Sequence, residues 1–207
     1  MGGMAMMSAG LFMTTWLVMM VAMMFPSVGP MTVAFFAVAR ARGDGLLLTV
    51  PFVVGYLAVW TAAGLVPLAI LQAFNQVWMT PPSLLPRAGG LLIVAAGIYQ
   101  FTPLKDVCLR ACRTRLGFIL SHDFGAGAVP AVRAGASHGL YCLGCCWAVM
   151  TILAVLGLMN IAWMALFAAI FFIEKNMRGG ELLPKVVGAV SILGGVAVVA
   201  APAILSV

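Results

Sequence analysis

The chain has 207 residues, of which 64% are hydrophobic and only 8% charged, and its mean hydropathy is +1.16. Soluble domains run at about 45–50% apolar and about 25% charged, so this composition excludes a soluble globular protein and indicates a polytopic membrane protein. The formal net charge of +6 does not indicate nucleic acid, because the basic residues sit between apolar runs, where they orient a chain in the bilayer.

The first helix is expected from about Gly10 to Ala39, a charge-free stretch longer than the roughly 20 residues needed to cross a hydrocarbon core. Met1 to Gly10 carries no Lys or Arg, and the apolar run exceeds a signal-peptide core of about 7–15 residues, so this helix is expected to stay in the mature protein. Pro26 lies inside it and predicts a kink. After the polar turn Arg40 to Gly45, a second helix is expected over Leu46 to Ala73. Phe74 to Pro86, with Trp78 and three prolines, reads as a loop with an interfacial aromatic. A third helix follows over Arg87 to Thr102. From Pro103 to Arg133 hydropathy collapses, and this stretch reads as the largest solvent-side connection, carrying Lys105, Asp106, Arg110, Arg113, Arg115, His122, Asp123 and Arg133. The fourth helix is expected over Ala134 to Gly157, the fifth ending at Glu174-Lys175, and the sixth from Pro184 to about Leu205. There is no internal repeat and no low-complexity linker, so the expectation is a single all-α domain over 1–207, a bundle of six transmembrane helices.

Lys and Arg orient such a bundle, since they accumulate on the cytoplasmic side. Ten of the eleven fall on one side of a six-span arrangement, and only Arg87 falls on the other. Both termini are therefore expected outside the cytoplasm, with the 103–133 connection inside.

The residues with chemistry begin at Ser137 to Trp147, which places His138, Cys142, Cys145 and Cys146 within an apolar helix. At about 100° per residue, these four and Met150 fall within an arc of about 140°. Thiolate and imidazole suit copper(I), zinc or an iron–sulfur centre, whereas magnesium and calcium want oxygen. The competing explanation is packing, because cysteine is also a small buried hydrophobe. Cys108 and Cys112 form a second pair, spaced i, i+4. If their segment is helical both point the same way, and Lys105, Arg110 and Arg113 would favour thiolate. A stable disulfide is not expected in a reducing compartment, whereas a transient redox pair remains open.

Ten of the fifteen methionines precede residue 32. Met6, Met13, Met20, Met24 and Met31 lie within about 40° of one another on the first helix, and thioether is a soft ligand for copper(I). A methionine stripe is equally a packing seam. Met20 and Met24 are of most interest because they are expected at about the depth of Cys145 and Cys146. Glu174 ends the fifth helix, where the helix dipole disfavours an acid. Pairing with Lys175, pairing with a loop arginine, or metal ligation would each offset that. Lys175 is expected to snorkel to the interface, and Gly135 and Gly139 read as helix contacts. No nucleotide-binding loop, Ser–His–Asp set or paired intramembrane carboxylates are present.

The runs Met19 to Ser27, Gly55-Tyr56 with Trp60, Ala96 to Lys105 leading to Cys108 and Cys112, Gly139 to Trp147, Met159-Asn160, Trp163-Met164 and Glu174-Lys175 together resemble a bacterial family described as predicted metal-binding integral membrane proteins. That resemblance spans nearly the whole chain. It implies metal binding, most concretely in supplying copper to copper-dependent oxidases, but brings no ligand set with it. The candidate ligands read from the residues are Cys108, Cys112, His138, Cys142, Cys145, Cys146, Met20 and Met24.

The expected function is thus binding and transfer or transport of a soft transition metal, copper(I) ahead of zinc or iron–sulfur. The setting is the plasma membrane of a bacterium, with lipid and a copper-dependent membrane or exported enzyme as partners and no catalytic residues. Two alternatives stay open: an accessory structural subunit of a larger membrane enzyme complex, and a membrane thiol oxidoreductase cycling Cys108/Cys112 against the thiols of the fourth helix.

Overall fold

The computed structural model of this chain describes residues 8–76, 84–114, 117–119, 127–156, 160–177 and 179–201. Seven helices account for nearly all of them: α1 (Ala9–Ala41), α2 (Gly45–Gln76), α3 (Leu84–Tyr99), α4 (Pro103–Arg113), α5 (Ala128–Leu156), α6 (Ile161–Asn176) and α7 (Leu183–Ala200). The described residues contain no strand. Met6, Trp78, Pro81, Pro82, Arg115, His122, Asp123, Met159 and Arg178 lie outside them.

The helix ends follow local chemistry. Ser8 caps α1 by accepting from Leu11 N–H, and Asn160 caps α6 by accepting from Ala162 and Trp163 N–H, each satisfying backbone donors that a first turn leaves open. α1 continues as one helix through both Pro26 and Pro30. α3 stops at Tyr99 because Thr102 precedes Pro103, and the residue before a proline is pushed out of the α region. Pro103 then opens α4, where its missing N–H costs nothing, Thr102 Oγ1 accepts from Lys105 N–H, and Asp106 lies in the first turn.

Two expectations change here. The 103–133 segment is not a solvent-side loop. It contains α4, whose buried residues Lys105, Cys108, Leu109 and Cys112 follow the i, i+3, i+4, i+7 pattern of an amphipathic helix. α5 begins at Ala128, six residues before its expected start, since Pro130 falls within its first turn, where proline is tolerated. Only 114–127 connects the two helices. Six spans are not established either: α1, α2, α5 and α7 are long and apolar enough to cross a membrane, and α3 with α4, bent by 64° at their junction, would make a fifth. α6 has 16 residues, short of the roughly 20 that a perpendicular span requires.

The chain divides into two compact units, one of residues Met1–Trp78 and Arg110–Leu143, the other of Met79–Leu109 and Gly144–Val207. In the first, α1 packs on α2, and Trp16 Nε1–H donates to Trp60 O at 2.9 Å. α2 also meets the first half of α5 at backbone distance. A Cβ at Gly55 would overlap the Val132 carbonyl oxygen, one at Gly135 would overlap that of Phe52, and one at Gly139 would press on Val59 and Tyr56. Small residues let helix backbones approach where lipid offers no hydrophobic drive to pack, as the sequence suggested for Gly135 and Gly139.

In the second unit α3 and α7 repeat this device antiparallel. Gly90 faces Gly195 and Gly97 faces Gly188, and a Cβ on any of the four would lie within 3.0 Å of its partner's carbonyl oxygen. Both helices space their glycines by seven residues, about two turns, so the contacts stay on one seam.

Candidate metal centre

α2 supplies the first unit with Phe52, Tyr56 and Trp60, four residues apart and all buried. Their spacing puts them on one face, and the glycine contacts above hold that face against α5. His138 is buried there, its ring 5.1 Å from Phe118 and edge-on to it, 6.1 Å from Tyr56 and 6.2 Å from Phe52, centroid to centroid. One turn further along, Cys142 Sγ lies 3.2 Å from Tyr56 Oη, a buried hydrogen bond in which either atom can donate. His138 and Cys142 are thus neighbours on α5, with Tyr56 touching both. Cys112 is buried in the same unit, as are Met20, Met23, Met24 and Met31 on α1, none more than 2% exposed. The predicted methionine stripe is the inner face of α1, shared with Ser27, Val28, Phe35 and Ala39.

The second unit holds the other thiols. Cys108 Sγ sits 2.6 Å from where a Cβ on Gly144 would be, so the absent side chain makes room for the sulfur. Cys108 and Cys145 are close enough for charge on one to bear on the other. One turn before Cys108, Lys105 is wholly buried; its ammonium donates to Cys145 O at 2.5 Å and pairs with Glu174 Oε1 at 2.5 Å. Tyr99 O–H donates to Gly144 O at 2.7 Å and packs its ring against Trp147. Cys146 is completely buried.

All five cysteines are thiols, none in a disulfide. Among the described residues, no three His, Cys, Asp or Glu side chains assemble as a metal-holding group. The arrangement offers pairs of soft donors: His138 with Cys142 in one unit, Cys108 with Cys145 in the other.

The Lys105–Glu174 pair was not anticipated, since Lys105 read as a loop cation and Glu174 as a partner of Lys175 or an arginine. The available signal was a lone carboxylate in an otherwise apolar helix, which demands a buried partner. Lys175 does not snorkel; it is 5% exposed, with its ammonium 5.8 Å above the Phe171 ring. The basic neighbours expected to favour thiolate at Cys108 and Cys112 are disposed differently as well. Lys105 is engaged by Glu174 and Cys145 O, while Arg110 is exposed.

With soft donors buried in helices of this apolarity, the matching family becomes informative. A family model described as "Copper chaperone" (PpoB2) covers residues 13–198. The chain belongs to this family. The matched span runs from α1 to the last turn of α7 and includes every donor named above. Comparisons with curated proteins and with solved structures returned no match.

Proposed function

We propose that this protein binds copper(I) through paired soft donors inside its helices and hands it on, within or across the plasma membrane of a bacterium, to a copper-dependent membrane or exported enzyme. The observation that carries this reading is burial. Cys108, Cys112, His138, Cys142, Cys145, Cys146, Met20 and Met24 are all 8% exposed or less, although more than thirty large apolar side chains of the same chain face outward. Side chains serving only as lipid-facing apolar filler would have no reason to be sorted this way. The pairing favours copper(I) over zinc, because structural zinc takes four N or S ligands whereas soft thiolates and thioethers select copper(I). Copper is cargo in this scheme and the protein is not an enzyme. Metal analysis after copper(I) loading under reducing conditions tests it. Wild type is expected to retain copper, with less in Cys142→Ser and less again in Cys108→Ser/Cys145→Ser; copper content equal in all three would overturn the assignment.

In the same reading the chain crosses the membrane six times, with α3 and α6 as short spans and both termini outside the cytoplasm. The ten-to-one distribution of Lys and Arg supports this orientation. Reporter fusions after Asp44 and Gly127 are expected to report the cytoplasmic side and a fusion at the C-terminus the opposite side; all three on one side would refute the topology.

A further inference from the structure

Among the described residues, only three formally charged side chains are buried, Lys105, Glu174 and Lys175, and all three belong to the unit that contains Cys108 and Cys145. Their sum is 1 + 1 − 1 = +1. The unit's other described charges, Arg87, Asp106, Glu181 and Lys185, are exposed and are therefore screened by their surroundings. A buried net charge is costly unless something compensates it, so an interior that keeps two ammonium groups against one carboxylate invites a compensating anion. That positive charge is also aimed. Lys105 Nζ contacts the carbonyl of Cys145, and Lys105 lies one turn from Cys108 on α4.

Resting on the copper(I) reading above, we propose that this buried excess of positive charge is the counter-charge of a copper(I) ion held by the thiolates of Cys108 and Cys145, and that it selects a monovalent over a divalent soft metal. When the site fills, two S–H bonds break, two protons leave, two copper–sulfur bonds form and no electron is transferred. Two thiolates and one Cu(I) carry 1 − 2 = −1, which cancels the buried +1. The same thiolates with a divalent ion are neutral and leave the +1 in place. Glu174 aligns Lys105 between its own carboxylate and Cys145 O, and Lys175 supplies the charge that makes the sum positive. Lys105 is thus a positioning and electrostatic residue and does not ligate the metal.

The test is the ratio of copper(I) to cadmium(II) affinity, both measured by chelator competition on detergent-solubilised full-length protein. Cadmium(II) is equally thiophilic but divalent. Lys105→Gln removes one buried positive charge while keeping a donor for Cys145 O, and the ratio is expected to fall by roughly 10–100-fold, the range seen when outer-shell partners of a metal site are changed. Glu174→Gln keeps an acceptor for Lys105 and raises the buried sum to +2, so the ratio is expected to rise; this variant carries the test if Lys105→Gln does not fold. A role in packing alone would weaken both metals together, and an unchanged ratio in a folded variant overturns the proposal. The copper(I) reading fails separately, if Cys108→Ser/Cys145→Ser binds copper(I) as tightly as wild type.

Discussion

Lys105→Met is expected to destabilise the protein by about 3–5 kcal/mol, the cost of leaving one partner of a buried ion pair uncompensated. Lys105 is wholly buried and Glu174 is 2% exposed, so neither water nor lipid headgroups can take over the interaction. The double substitution Lys105→Met/Glu174→Leu is expected to recover most of that loss, because replacing a whole buried pair by apolar groups of similar volume is often neutral. Chemical unfolding in mild detergent, comparing wild type with both variants, measures this. Equal destabilisation by the single and the double substitution would mean that each side chain acts on its own and that the pair is not the interaction that matters. The outcome bears on function, because the same pair fixes Lys105 against Cys145 O and orders α4 beside Gly144, where Cys108 Sγ packs.

Gly135→Ala is expected to have an effect of comparable size for a different reason. Its methyl would overlap the carbonyl oxygen of Phe52, and that of Gly55→Ala would overlap the carbonyl oxygen of Val132. Backbone cannot step aside as the end of a side chain can, so both substitutions must drive α2 away from α5. A cost at or above the upper end of the about 1–3 kcal/mol typical of overpacking is expected. Separation of these helices also pulls Phe52 and Tyr56 from His138 and Cys142, so copper bound through His138 and Cys142 is expected to be lost with the stability. Gly194→Ala is the control: nothing lies within 4 Å of its Cβ position, and it is expected to be neutral or slightly stabilising, as alanine is favoured over glycine inside a helix by roughly 0.5–1 kcal/mol. Retention percentages on size exclusion and copper content of the three variants check both halves of this prediction.

These two sites show where local sequence stops being sufficient. The helical character of the chain, the start of α2, the end of α6 and the inward face of α1 follow from hydropathy and period alone, because each depends on neighbours within a turn or two. Met20, Met24 and Met31 could be placed on one stripe without knowing what covers them. Gly135 and Gly139 could be recognised as contact residues from their size, yet their partners, Phe52 and Tyr56 on α2, could not be named. The candidate ligands were legible as residue types, since a histidine and three thiols within an apolar helix are conspicuous; how they divide into His138 with Cys142 and Cys108 with Cys145 was not.

What the sequence by itself determined is therefore the class of the protein and the chemistry of its donors: an apolar helical chain with soft ligands concentrated in two segments. What only the tertiary structure decided is the fate of its charges. Lys105-Asp106 with three following arginines reads as solvent-exposed, because a lysine belongs in water unless a partner compensates it. That partner, Glu174, lies far along the chain, and local patterning carries no information about a pair joined at such separation. Once the two meet, the segment from Pro103 to Arg113 becomes a helix with a buried face, and a loop cation becomes the charge beside the thiols.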